Sequence, residues 1–481
     1  MDAKAADIDY KCCVLLGNLR NFNIERLRIQ MENQQDKLQQ QREARRRRRQ
    51  RNQILAYTTV LVLIALVAVG IVSGVRYIKD RQELERQAAQ DQQESQQAML
   101  EQQFATEEES IAPPPEEPEP TMEPIPELTP EEKLDQVINA MIDSMPLEDK
   151  VAGLFFVSPE AVTGVDVAVK AGDGTKDALM RYAVGGILYS KKNIRDAGQF
   201  QEMLGNTDLY SKYPIFLGIE EEGGSISPLA AAGLIDKQSS AADIGAGGDV
   251  SAARQAGSNI GQGLASYGVN VDFAPVGDLS NVDKSVMAAR AYGSEADAVS
   301  AYVINMIEGL QEQGVTACIK HFPCGGGTAA DTHEGLAVSE RSEEELRSQE
   351  LMVFQSSIDS GAQMIMVGHV AVPSLTGDNT PASLSPVVVT DILRNEMGYR
   401  GVVITDVMDA KAISEYYSSG QAAVLALKAG CDMILSPENF EEAYEAVLAA
   451  VQDGTIAEER INDALRRIYR IKCADRLEAV E

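Results

Sequence analysis

The sequence predicts an α/β fold, a TIM-type (β/α)8 barrel over residues 131–475. Three features point to it. Eight short apolar runs recur through that region, most of them nearly continuous in Val, Ile, Leu and Ala, as strands buried on both faces are. Amphipathic stretches lie between them, and DAVSAYVINMIEGLQEQG and RSEEELRSQELMVFQSSIDSG each end at Gly, a common helix stop. Titratable residues collect at the C-terminal ends of the runs, the rim on which barrel enzymes carry their chemistry. A doubly wound open sheet is the competing architecture, but no GxGxxG follows the first run.

Ahead of the barrel the chain changes texture three times. Residues 1–52 are polar and basic, with 13 Lys/Arg against 7 Asp/Glu. Residues 53–75 carry no charge and match the roughly 20 residues a helix needs to cross a bilayer core. Arg45–Arg49 precede them, which favours a cytoplasmic N-terminus and places the body outside the cell. A cleaved signal peptide fits poorly behind so long a polar segment. Residues 76–130 read as a polar helix followed by a Pro- and Glu-rich spacer that cannot bury a core. The expected organisation is a single-pass anchor, a stalk and a barrel.

The apolar runs then follow in order: 151–158, 184–190, 214–222, 269–279, 314–323, 362–370, 401–408 and 431–437. Their ends supply Glu220–Glu222, Asp272 and Asp278, Lys320 and His321, His369, Asp406 and Ser436. The chain has only three histidines, His321, His333 and His369, all within one short stretch. Histidine is the side chain best suited to moving protons near neutral pH. The net charge of −30, despite a basic N-terminus, argues against nucleic acid as a partner.

Other chemistries leave no trace. There is no phosphate loop, no HExxH or His/Cys metal cluster, and no GxSxG elbow. No cofactor is called for. The six cysteines form no CxxC pair, and Cys318 and Cys431 sit in apolar runs as small core residues. Carboxylates and histidines around a cleft suit proton transfer and carboxylate attack.

The ordered motifs EEEGG, NVDFAPVGDL, ARAYGSEA, KHFPCGGGTAADTH, MVGHV and VVITDVMD resemble glycoside hydrolase family 3. They are most similar to its short bacterial β-N-acetylglucosaminidases, over roughly residues 134–475. That resemblance implies a retaining mechanism in which Asp406 attacks the anomeric carbon. It implies that His333, oriented by Asp331, is the acid/base on a mobile loop. Glu220, Arg290, Lys320, His321 and His369 would hold the sugar. A histidine oriented by an aspartate can replace the usual carboxylic acid, by the logic of a Ser-His-Asp triad.

The sequence also departs from the family pattern. KHFPGHG reads KHFPCGG here, so Cys324 and Gly325 are altered. DxEGGRV reads EEEGGSI, which puts Glu220 and Ser225 in place of Asp and Arg. Ala410 stands where Met is expected. The leading expectation is a membrane-anchored exo-β-N-acetylhexosaminidase acting on peptidoglycan-type glycans outside the cell. A family relative cleaving β-glucosides or β-xylosides, and a catalytically impaired glycan-binding scaffold, are the other two readings.

Overall fold

Each of the eight apolar runs contains one strand, in the computed structural model, which describes residues 128–474. The anchor expected over 53–75, and the segments 1–52 and 76–127, lie outside those residues. Among the described residues no helix is long and apolar enough to cross a membrane. The strands are β1 (Phe155–Val157), β2 (Gly186–Leu188), β3 (Phe216–Ile219) and β4 (Val271–Asp272). They continue with β5 (Thr316–Phe322), β6 (Met364–Val367), β7 (Val402–Thr405) and β8 (Ile434–Leu435).

All neighbouring strands are parallel, in the order β7-β6-β5-β4-β3-β2-β1-β8. A parallel bridge between Ile404 and Met433 brings the last run back against β7. The eight strands therefore form a nearly closed cylinder. Helices fill most crossovers, among them Ala197–Tyr210, Ser251–Tyr267, Ala296–Gln311 and Ser419–Ala429.

Phe156 fills part of the interior. It stacks with Phe216 at 6.2 Å and meets Phe273 edge-on at 5.1 Å. A Cβ at Gly186 or Gly218 would come within 2.6 or 2.5 Å of its ring. Those two glycines clear the space that lets a large aromatic pack inside so narrow a barrel. Cys318 and Cys431 are fully buried, as their apolar runs predict.

One helical stretch differs in detail from the sequence reading. The segment up to Gly361 is two helices, Glu343–Ser348 and Glu350–Asp359, broken where Gln349 leaves helical geometry (φ −127°, ψ −75°). The break coincides with burial of the Glu350 carboxylate against Arg341 at 2.9 Å. An exposed amphipathic pattern does not announce such an inward carboxylate. The stretch Val387–Glu396 after β6 is wound as a π-helix. The first described helix, Pro130–Ser144, is tied to the last one, since Asp135 and Asn139 bond Arg470 and Arg466.

This frame puts the titratable residues on one rim. Glu220 directly follows β3, Asp272 ends β4, and Lys320 and His321 are near the end of β5. His369 lies two residues past β6, and Asp406 directly follows β7. Pairing between β5 and β6 slips between Ile319 and Phe322, so Lys320 and His321 sit at an irregularity. Such irregularities re-aim side chains next to active sites.

Candidate active site

A cavity of about 280 Å³ opens at the C-terminal mouth of the barrel. Asp406, His333, Asp331, Glu220, Arg290, His321 and His369 all line it. The residues expected to carry chemistry thus meet at one place, from loops after β3, β4, β5, β6 and β7. Lys320 does not line the cavity. Its side chain is completely buried and bonds Glu222 at 2.7 Å, and also Glu220.

Asp406 is nearly buried at the end of β7, with Val407 N–H donating to its Oδ1 at 2.7 Å. Burial alone would raise its carboxyl. The facing His321 and His369, with the Val407 amide, overcome that and hold it below the usual carboxylate range. An ionised carboxylate whose Oδ2 has no hydrogen-bond partner among the described residues, in a sugar-sized cavity, can act as a nucleophile.

His369 is fixed on both sides. Its Nε2 lies 3.0 Å from the Val407 carbonyl and its Nδ1 lies 2.8 Å from Ser383 Oγ. Nε2–H donates to the Val407 carbonyl, and burial pushes the ring's pKa down against the opposing pull of the Asp406 carboxylate. Both nitrogens have partners inside the protein, and the ring steadies the peptide after Asp406 at the wall of the cavity. His321 differs. Asp278 binds its Nδ1 at 2.7 Å, and its Nε2 has no partner among the described residues. Asp278 also accepts the Gly325 amide. A Cβ at Gly325 would meet the Asp278 oxygens at 2.8 and 3.0 Å and His321 Nδ1 at 3.0 Å. The altered loop therefore fits this pair closely. Cys324 beside it is buried, and burial pushes its thiol well up, which leaves it protonated and unreactive.

Opposite Asp406, Glu222 forms the centre of an ion cluster. Arg290 Nε donates to its Oε2 at 2.9 Å and a second guanidinium nitrogen to its Oε1 at 2.5 Å. Burial opposes the charge on Glu222, but Lys320 and Arg290 outweigh it and hold the carboxyl down at about 2. Glu220 sits at the edge of this cluster with its side chain about half exposed toward the cavity. Sequence reasoning placed Glu222 and Asp278 among the polar strand ends but assigned neither a role. Their partners lie 68 and 43 residues away, a distance no local pattern bridges.

His333 and Asp331 lie on the loop after β5. Asp331 Oδ1 accepts the His333 backbone N–H at 2.9 Å and approaches ring Nδ1 at 3.0 Å. Its modest burial would raise the carboxyl, yet the His333 amide and ring hold it below the ordinary value. The loop is tied to the segment after Asp406, with Ala412 N–H donating to the Thr332 carbonyl at 3.0 Å. Lys411 reaches Glu334 at 3.0 Å. These ties keep a half-exposed imidazole at the same cavity as the Asp406 carboxylate.

Beneath the rim, Glu221 caps the turn at 228–231, accepting the Leu229 amide at 2.8 Å, while its own N–H donates to Asp272 at 2.8 Å. Burial pushes Glu221 up to about 7 against those amides. Near pH 4.5 the unfolded chain begins to release this proton, while the folded protein keeps it until about pH 7. Stability contributed here is therefore lost as pH rises through that window. Glu221→Gln should flatten the loss by up to ~3 kcal/mol, read from urea unfolding at pH 5 and pH 7.5. An unchanged difference between the two pH values would assign it to other groups.

Known proteins match this chain over the barrel. The model of the glycosyl hydrolase family 3 N terminal domain matches residues 146–471. Beta-hexosaminidase A of Pseudoalteromonas piscicida is 27% identical over 325 residues, 62% of this chain and 54% of that protein. The chain thus spans about half the length of that relative. Beta-hexosaminidase of Nitrosomonas eutropha is 32% identical over 272 residues, 54% of this chain and 76% of that protein. Among solved structures, a family 3 beta-N-acetylglucosaminidase from Paenibacillus sp. superposes with a TM-score of 0.64 at 31% identity. It covers 70% of this chain and 64% of that one. Barrel, rim and match agree, and the chain belongs to glycosyl hydrolase family 3.

Proposed function

We propose that the protein is a retaining β-N-acetylhexosaminidase that removes terminal β-linked N-acetylglucosamine through a glycosyl-enzyme intermediate. The observation that carries this is the single cavity lined by both the ionised Asp406 and the His333–Asp331 pair. Asp406 Oδ attacks the anomeric carbon as the glycosidic C–O bond breaks, and the imidazolium of His333 gives its proton to the leaving oxygen. His333 then takes a proton from water, whose oxygen attacks the same carbon and frees Asp406. Asp331 holds the ring and stabilises its positive charge. Arg290, Glu220 and His321 grip hydroxyls, with Lys320 and Glu222 setting Glu220 and Arg290 in place from behind.

The names of the relatives support the N-acetylglucosaminide. A panel of p-nitrophenyl β-glycosides tests it. Turnover of the N-acetylglucosaminide well above the glucoside and xyloside is expected. Preference for the glucoside with no release from the N-acetylglucosaminide would overturn the substrate assignment.

We infer a place for the enzyme as well. The uncharged 53–75 stretch behind five arginines supports a single-pass anchor with the barrel outside the cell, facing peptidoglycan fragments. Protease added to intact cells should then release the barrel by cutting the Pro/Glu spacer. Protection until lysis would reverse the topology.

A further inference from the structure

The end of the barrel away from Asp406 holds a second hollow, of about 280 Å³. Four arginines line it, Arg400, Arg466, Arg467 and Arg470, against two carboxylates, Asp135 and Asp463. Its place follows from the strands. Arg400 stands two residues before β7, whereas Asp406 directly follows that strand. Arg467 bonds Asp432 at 3.0 Å, and Asp432 stands two residues before β8. The hollow therefore sits at the N-terminal ends of the strands, outside the reaction site.

Two helices build its walls. Asp463, Arg466, Arg467 and Arg470 recur at the spacing of three and four residues that puts side chains on one face of the helix Glu458–Lys472. Asp135, Ile138 and Asn139 do the same on Pro130–Ser144. Part of the charge fastens the two helices. Arg470 grips Asp135, with Nε at 2.8 Å, and Arg466 bonds Asn139 at 2.8 Å, Asp463 at 2.7 Å and Glu459 at 2.6 Å. Fastening does not use all of it. Arg400 is exposed and has no hydrogen-bond or ion-pair partner among the described residues. Arg467 spends a single nitrogen, Nη1, on Asp432 and the Asp463 carbonyl. Its Nε–H and Nη2–H groups have no partner among the described residues.

The charges do not cancel either. Asp432 is fully buried and is shared by Arg394, Arg460 and Arg467. With Arg400, Arg466 and Arg470 these make six guanidiniums, against the four carboxylates Asp135, Asp432, Glu459 and Asp463. Six against four leaves two positive charges in excess, in a chain whose net charge is −30. Planar guanidinium forks match the oxygens of a phosphate, and an excess of two charges matches its dianion.

We propose that this hollow binds a phosphate dianion, free or as a monoester, at a site separate from the sugar cavity. Arg400 and the unused donors of Arg467 hold the oxygens, while the pairs made by Arg466 and Arg470 shape the walls. The site stands independently of bond cleavage at Asp406.

Isothermal titration calorimetry on the full chain in detergent tests it, with inorganic phosphate, glucose-6-phosphate and a short-chain phosphatidic acid as probes. Saturable binding is expected, and sodium chloride at the same ionic strength should not reproduce it. The probe that binds tightest then names the source of the group as free anion, soluble ester or lipid. Arg400→Gln should weaken binding by about 10-fold or more, the scale of losing charged hydrogen bonds. Asn139→Asp keeps an acceptor for Arg466 but adds a negative charge to the wall, so it should weaken binding without loosening the two helices. Hydrolysis of p-nitrophenyl N-acetyl-β-glucosaminide should be unchanged in both variants, since neither residue is near the reaction. No saturable binding of any probe would overturn the site. Equal affinity in the parent and both variants would overturn it as well. Phosphate that competes with the glycoside and binds both variants as it binds the parent would place the anion at the catalytic mouth instead.

Discussion

Asp406→Ala is expected to lower kcat/KM by on the order of 10⁴–10⁶-fold, the scale on which removal of a covalent nucleophile acts. The fold should tolerate the change. Among the described residues the side chain's one hydrogen bond is to the amide of its own neighbour, Val407, whereas its backbone N–H is tied to the Val367 carbonyl at 2.8 Å. Removing the carboxylate leaves the ladder intact and opens space beside the anomeric carbon. Sodium azide added to the variant should then attack from the vacated side and yield the α-glycosyl azide, since a retaining enzyme's missing nucleophile is replaced from the same face. Turnover near the parent's level, or a β-azide, would show that a different group attacks.

His333→Ala is expected to cost about 10²–10⁴-fold, the range for a general acid/base. The size of the loss should depend on the leaving group. A natural sugar alcohol needs a proton to depart, whereas a dinitrophenolate leaves unaided. The variant should therefore lose most on alkyl or sugar leaving groups and least on the dinitrophenyl glycoside. Asp331→Ala should follow the same trend, because its carboxylate, held ionised by the His333 amide and ring, is what orients the imidazole. Uniform loss across all leaving groups would give His333 a structural role and take it out of proton transfer.

The barrel was legible because its strands are buried on both faces. Burial of that kind forces apolar runs such as VVIT at 402–405 and MIMV at 364–367, and the breaks between them mark the crossovers. The rim was legible for the complementary reason: a carboxylate or imidazole at the end of such a run, as at Asp406 and His369, stands out against its neighbours. Partnership was not legible. His369 reads as a ligand to sugar from its position, but its two nitrogens are taken by Ser383 and Val407, 14 and 38 residues away. Lys320 reads the same way and is instead completely buried between Glu220 and Glu222. Glu222 and Glu221 sit side by side in one EEE motif, yet one is held near 2 by cations and the other lifted to about 7 by burial. Alternation along the turn sends adjacent carboxylates into opposite environments, and only three-dimensional packing separates their chemistry.

The most direct measurement is covalent trapping. A slow 5-fluoro analogue of an N-acetyl-β-glucosaminyl donor is incubated with the enzyme, and the protein is digested and mapped by mass spectrometry. One added N-acetyl-fluoroglucosaminyl mass on the peptide holding Thr405–Asp406, with fragment ions placing it on Asp406, is the predicted result. A label on any other residue, or continued turnover with no covalent adduct, would contradict Asp406 as the nucleophile at the barrel mouth.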